Sequence, residues 1–273
     1  MLNTVKTLVL RAAGVNCDRE TAWAFEAAGA EPHSVHINRF IRGENNMNNY
    51  HILALPGGFS YGDDIAAGRI LANELAYKVA DQLRRFVAEG KLVIGICNGF
   101  QALMKTGLLP GMENGSATAK TGRGLPPQKA TVFDNDCGRF ECRWVHLKAA
   151  DNGNCIFTKG MPEIISLPIA HGEGKVMFDS EDTRRALWEN NQVVYQYVDE
   201  SGEFGGYPVN PNGSTDHIAG ICDPSGRVFG LMPHPERNVR PRHHPLWTRG
   251  GIPKVPDGIH IFKNAVKFAK KNL

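Results

Sequence analysis

Three short strings in this 273-residue chain carry residue types that together can break an amide bond. In Gly95-Ile96-Cys97-Asn98-Gly99-Phe100-Gln101 a thiol stands between two glycines, after an apolar run that reads as a buried strand and before a segment that reads as a helix. A nucleophile on such a tight strand-to-helix turn exposes its side chain and leaves the next residue's N–H free to hold an oxyanion. Flanking glycines suit a strained turn with close backbone approach, and a helix N-terminus favours thiolate over thiol. Taken alone, a free cysteine is more often a buried structural thiol, so the reading depends on a base.

Met232-Pro233-His234-Pro235-Glu236 supplies an imidazole and a carboxylate to orient it. Each proline restricts the residue before it to extended conformations, so positions 234 and 236 are expected to project on the same side, roughly 6.6 Å apart along the chain. The third string, Pro56-Gly57-Gly58-Phe59, also follows a predicted strand. A Gly-Gly turn there can aim a backbone N–H at a developing oxyanion, a donor whose loss typically costs about 10²-fold or more in rate. By itself that string is equally a phosphate loop or a plain turn.

The elements that must position these strings follow from periodicity. Up to about residue 110, apolar runs alternate with helical patterns, which predicts βα units and a mainly parallel sheet. Strands are expected at 5–10, 33–37, 51–55 and 91–96, with a helix over 18–28 closed by Gly29. Leu71, Leu75, Val79, Leu83 and Val87 recur every four residues, predicting one helical stripe that ends at Gly90. Glycine and proline rise through 111–128. Beyond it, strands at 131–133, 140–147, 164–167 and 193–198 read as antiparallel or mixed, with a helix over 180–191. Residues 218–222 and 228–232 flank Asp-Pro-Ser-Gly and read as a hairpin, and a helix runs from Gly258 to the end. In open α/β sheets ligands bind beyond the carboxyl ends of the strands, which is where Cys97 and the Gly-Gly turn both fall.

With the motifs placed, the chain resembles the class I, triad-type glutamine amidotransferases. Their GxCxGxQ nucleophile motif is matched by Gly95, Cys97, Gly99 and Gln101, and their PGG loop and terminal H-P-E are present in the same order. The longer strings PGGFSYGDD, GRFECRW, AHGEG, NPNGS and GLMPHPER resemble the branch of that class serving the fourth step of purine synthesis. The resemblance covers essentially the whole chain. It implies a flavodoxin-like α/β fold with added antiparallel or mixed strands, read as one domain, and glutamine as substrate. Cys97 is then the nucleophile, His234 the base and Glu236 its orienting group, with the N–H groups of Gly58 and Asn98 as oxyanion donors. Gly57, Gln101, Asn135, Gly138, Arg139 and Phe140 fall where the class binds glutamine. It further implies a large synthetase partner that holds ATP and magnesium, and a small bridging subunit.

Composition fits and narrows this reading. A net charge of +3, from 31 Lys plus Arg against 28 Asp plus Glu, argues against binding a polyanion by bulk electrostatics. The six cysteines include no CxxC pair and are read as reduced thiols. The opening residues show no signal peptide pattern and nowhere do about 18 apolar residues run together, so a cytoplasmic protein without a membrane span is expected. No GxxxxGK[ST] phosphate loop occurs. His171-Gly172-Glu173-Gly174 lacks the companions of a zinc site and reads as a structural or partner-facing turn; no metal is expected. The basic-aromatic stretch from Arg237 to Arg249, with Trp247 in it, reads as a docking surface or an anionic-metabolite site rather than a nucleic-acid site. Residues 111–128 and 237–257 are the expected interface additions. Asn16-Cys17-Asp18 reads as a helix cap with a passive thiol. A glutaminase for a different synthetase, a stand-alone γ-glutamyl hydrolase and a non-catalytic module on the same fold are the alternatives.

Overall fold

The computed structural model describes residues 4–112, 125–150, 153–249 and 254–273. Its strands are β1 (Lys6–Arg11), β2 (Glu31–His36), β3 (Ile52–Leu55), β4 (Leu92–Ile96), β5 (Ala130–Asp134), β6 (Glu141–Ala149), β7 (Ile164–His171), β8 (Glu173–Phe178), β9 (Val193–Val198), β10 (Ile218–Cys222) and β11 (Val228–Leu231). The helices are α1 (Asp18–Ala27), the short α2 (Ile37–Ile41), α3 (Arg69–Lys78), α4 (Ala80–Ala88), α5 (Asn98–Lys105), α6 (Glu181–Glu189) and α7 (Asp257–Asn272).

Nine strands form one sheet in the order β2-β1-β3-β4-β11-β10-β9-β6-β7. The first five are mutually parallel and the rest pair antiparallel. The order 2-1-3-4 at the parallel end is that of flavodoxin-like sheets. Every residue of β3, β4 and β11 is buried, as expected of parallel strands covered on both faces. The cover is helical: α1 packs on α7 with Phe25 edge-on to Phe262 at 4.9 Å, and α3 packs on α5. β5 and β8 form a separate antiparallel ribbon.

The predicted stripe through Val79 is two helices. Val79 leaves helical geometry at φ −130°, ψ 15°. A four-residue repeat on a helix of 3.6 residues per turn drifts by about 40° a step, hence about 160° over four steps. Breaking at Val79 lets α3 bury Leu71 and Leu75 while α4 buries Leu83 and Phe86. β2 begins two residues earlier than expected and stops at His36, whose Nδ1 accepts the N–H of Asn38 and caps α2. β7 runs four residues past its expected end, through Pro168. It is an edge strand, where proline is tolerated. The helix over 181–189, the hairpin β10–β11 and α7 lie where periodicity placed them. Most of the Gly/Pro-rich segment 111–128 lies outside the described residues.

Glycine closes the sheet onto α5. A Cβ on Gly99 would lie 1.9 Å from the carbonyl oxygen of Leu55, and one on Gly95 would lie 2.7 Å from the oxygen of Gly99. Both contacts are to backbone, which has little freedom to retreat. Gly99→Ala therefore overpacks the joint of β3 and α5, a change that typically costs about 1–3 kcal/mol. Thermal unfolding should show a lowered Tm for this variant; a Tm equal to wild type would contradict the close packing.

Candidate active site

Four neighbouring parallel strands, β1, β3, β4 and β11, deliver their following residues to one edge of the sheet. Cys97 follows β4, the Gly57-Gly58 turn follows β3, His234 follows β11 and Cys17 follows β1. Cys97 continues the ladder by donating its N–H to Leu231 O at 2.8 Å, then takes φ 49°, ψ −105°. Such a conformation is sparsely populated for a residue with a Cβ, and packing of Gly95 and Gly99 against α5 and β3 holds it there.

His234 is anchored separately. Its N–H donates to Pro168 O at 2.8 Å, and Nδ1 meets Oε1 of Glu236 at 2.6 Å. The two side chains meet differently from the extended expectation: Pro235–Arg237 is a 3₁₀ turn, which folds the carboxylate back onto the imidazole. Both side chains are almost wholly buried. Burial disfavours protonation of His234, but Glu236 and then Cys97 outweigh it and hold the imidazole well above its ordinary range. Nε2 has no hydrogen-bond partner among the described residues.

Gly57 sits among these groups. A Cβ there would lie 2.8 Å from Cε1 of His234, 3.2 Å from Sγ of Cys17 and 3.5 Å from Cβ of Cys97. Gly58, at φ 138°, follows it; a Cβ there would meet Asn16 N at 2.7 Å.

A cavity of about 630 Å³ opens in front of Cys97. Gly58, Gln101, Asn135, Gly138, Arg139 and Phe140 line it with Cys97. Gly57, His234 and Glu236 are not among the residues that line it. Gln101 donates to Glu173 O at 2.6 Å and accepts from Asn98 Nδ2 at 3.0 Å. Asn98 in turn accepts from Ser60 N at 3.2 Å, so the loop after β3 is tied to α5. Asn135 is also occupied: its Nδ2 donates to Arg139 O and His171 O, and its Oδ1 meets His171 Nδ1 at 3.1 Å. It holds the cavity wall together rather than offering a free amide. Arg139 is exposed at the mouth, and Phe140 stacks on Phe59 with centroids 6.3 Å apart.

Sequence reasoning missed three contributors. His171 and Glu173, read as a turn, line the cavity; His171 ends β7 and Glu173 begins β8. Because Asn135 Nδ2 is a donor, its Oδ1 accepts, so His171 carries its proton on Nδ1. Burial first, and then His234, push the His171 pKa down to about 3, so this imidazole is neutral. Cys17 is 1% exposed and makes no side-chain cap on α1. Its Sγ accepts from Nη2 of Arg237 at 3.1 Å. The signal was its place after β1, at the same sheet edge as Cys97. The basic stretch packs partly on α1, with Arg240 Cζ 4.1 Å from the Trp23 ring centroid.

A family model described as the CobB/CobQ-like glutamine amidotransferase domain matches residues 4–269. The chain belongs to this glutamine amidotransferase family. It is 48% identical over 272 residues to phosphoribosylformylglycinamidine synthase subunit PurQ of Dehalococcoides mccartyi, covering 99% of this chain and 100% of that one. Against the subunit of the same name from Methanococcus maripaludis, identity is 44% over 280 residues, covering 97% and 98%. The fold matches a chain of PurLQS from Thermotoga maritima with TM-score 0.71 and 32% identity, covering 97% and 99%. The glutaminase domain of Trypanosoma brucei CTPS shares the fold at TM-score 0.51 and 14% identity, covering 98% and 94%.

Two outcomes follow from the geometry. Gly57→Ala pushes the imidazole away from Cys97, and a displacement of that order costs about 10²-fold; ammonia release from glutamine should lose kcat far more than it raises KM, and an unchanged kcat would contradict the packing. Glu236→Gln removes the charge that holds His234 protonated. The alkaline limb of kcat/KM against pH should therefore move to lower pH, whereas a limb that stays in place would show that Glu236 does not set the His234 charge.

Proposed function

We propose that this chain is the glutaminase subunit of phosphoribosylformylglycinamidine synthase. It hydrolyses glutamine and passes ammonia to a larger PurL-type synthetase, which uses ATP and magnesium to turn formylglycinamide ribonucleotide into formylglycinamidine ribonucleotide in purine biosynthesis. The glutaminase reading is carried by one observation: a thiol on a strained elbow beside a buried imidazole whose other nitrogen meets a carboxylate at 2.6 Å. The particular synthetase is supported by identities of 44% and 48% to PurQ subunits over nearly the whole chain. The PurLQS match supports assembly with a PurL-type partner, and a small PurS-type bridging subunit completes the proposed complex.

The steps use the groups already placed. The Cys97 thiolate attacks the carboxamide carbon of glutamine, forming a C–S bond and an oxyanion held by the N–H groups of Gly58 and Asn98. Such backbone donors act where charge develops. The His234 imidazolium gives its proton to the departing nitrogen, the C–N bond breaks, and ammonia leaves a γ-glutamyl thioester on Cys97. Neutral His234 then takes a proton from water, which attacks the thioester carbon; glutamate leaves and the thiolate–imidazolium pair is restored. Arg139 at the mouth faces the carboxylate of the amino-acid end, and Gln101 fixes the floor beneath it. Phe59 and Phe140 are exposed and line this cavity, an apolar rim suited to being covered by the synthetase, so that ammonia leaves into a partner rather than into water.

Cys97→Ala should abolish glutamine-dependent synthesis by the assembled complex while sparing synthesis from added ammonia. Loss of both activities together would place Cys97 in assembly instead of chemistry, and retention of both would remove it from the reaction.

A further inference from the structure

The two proposed oxyanion donors sit on different elements, Gly58 on the loop after β3 and Asn98 on the first turn of α5. Neither N–H donates to a carbonyl among the described residues, so both are unspent. Two donors grip one oxygen only at a fixed separation, with each about 2.7–3.1 Å from the oxyanion. The tail of β1 holds one side of the loop: Phe59 N donates to Gly14 O at 3.0 Å and Tyr61 N to Ala13 O at 2.7 Å. These bonds fix the loop against β1 and leave its separation from α5 to another contact.

That contact is the side chain of Asn98, a wholly buried residue. Its Oδ1 accepts from Ser60 N at 3.2 Å, two residues beyond Gly58, while Nδ2 donates to Asp63 Oδ1 and to Gln101 Oε1, each at 3.0 Å. The partners decide how the amide is turned, because an ionised carboxylate only accepts and a backbone N–H only donates. The far end of the loop is pinned at the start of α3: Asp63 Oδ1 also accepts from Gly68 N at 3.2 Å, and both carboxylate oxygens of Glu173 lie 3.1 Å from Ala67 N. Between these anchors Tyr61, Gly62 and Asp63 take φ of 56°, 76° and 54°. Positive φ is unfavourable for residues with a Cβ and persists where surrounding contacts over-determine it. Here that strained turn sets the Asp63 carboxylate on the Asn98 amide.

We infer that Asn98 sets the width of the oxyanion hole: its backbone supplies one donor, and its side chain, oriented by Asp63, spaces the loop that supplies the other. The Asn98 amide and Asp63 are thus positioning groups that act through the Gly58 N–H. The inference rests on the oxyanion roles proposed above for Gly58 and Asn98. Its kinetic signature is specific. The oxyanion exists only once Cys97 has attacked, so a widened hole destabilises the transition state and leaves the ground-state complex alone; kcat falls while KM holds. Asp63 also lines the cavity, and a carboxylate that merely bound the ammonium group of glutamine would show the opposite pattern, a raised KM with kcat retained.

The test compares wild type, Asn98→Ala, Asp63→Ala and Asp63→Asn as full-length chains saturated with the synthetase. It reads kcat and KM for ammonia release, and the inhibition constant of L-glutamate γ-semialdehyde. The open form of that aldehyde takes the Cys97 thiolate at its carbonyl carbon; a C–S bond forms, the carbonyl π pair moves to oxygen, and the oxyanion fills the hole with no leaving group to expel. Asn98→Ala keeps the backbone N–H, and Asp63→Asn keeps an acceptor oxygen for the Asn98 amide. Asn98→Ala and Asp63→Ala should each lose about 10²-fold in kcat and in aldehyde affinity, with KM changed by less than about threefold, while Asp63→Asn stays close to wild type. Should Asn98→Ala fail to fold by circular dichroism, the half-buried Asp63 and its two variants decide the matter on the same readouts. A wild-type kcat in Asn98→Ala, a raised KM with aldehyde affinity intact, or Asp63→Asn as impaired as Asp63→Ala would each overturn the inference, and wild-type turnover would leave the glutaminase reading standing. A wild type that neither releases ammonia nor binds the aldehyde would end both.

Discussion

The backbone after β3 passes so close to the nucleophile and the base that only a hydrogen atom fits at Gly57, with His234 2.8 Å from where a Cβ would stand. The rest of the site depends on that approach. It sets the imidazole against Cys97, and the following residue, Gly58, is the proposed oxyanion donor. The approach exists because β1, β3, β4 and β11 are consecutive neighbours in a parallel sheet, so their carboxyl ends reach one edge with the spacing of the ladder. A second close approach, Gly99 against Leu55, fixes the height of α5 and with it the turn that carries Cys97.

Electrostatics then decides the protonation state of what packing has assembled. A buried imidazole would ordinarily be neutral, but Glu236 and Cys97 reverse that tendency for His234. His171 is also buried yet meets only the neutral amide of Asn135, and it stays uncharged. The contrast is between partners, one a carboxylate and the other an amide. Removing one member of a buried ion pair typically costs about 3–5 kcal/mol, which is why the pair is tied to the fold as well as to the chemistry. His234 is held by Pro168 O on the edge strand, and Asn238 donates to Ser166 O on the same strand, so the antiparallel half of the sheet steadies the base that the parallel half delivers.

Much of this was legible in the sequence, because the informative residues are those whose local chemistry admits few alternatives. Gly95 and Gly99 around Cys97, the Gly57-Gly58 turn and His234 with Glu236 were picked out by type and spacing, and strands at 193–198 and 218–222 lie where their patterns put them. What escaped depends on contacts distant in sequence. The break at Val79 follows from two helices needing to bury one drifting stripe. The 3₁₀ turn at Pro235 replaced the extended segment because the carboxylate closes on the imidazole. Glycine and lysine disguised β8, whose partner is β5. Cys17 reads as an ordinary thiol until β1 is placed beside β3, and the amide of Asn135 is consumed by residues up to 36 positions away.

The central claim is that Cys97 carries the γ-glutamyl group between the departure of ammonia and the arrival of water. The direct measurement is rapid acid quenching of the complex during turnover with isotope-labelled glutamine, followed by peptide mass spectrometry. The account predicts labelled γ-glutamyl thioester on the peptide containing Cys97, appearing before free glutamate. Turnover without an adduct on that peptide, or an adduct on Cys17 instead, would contradict it.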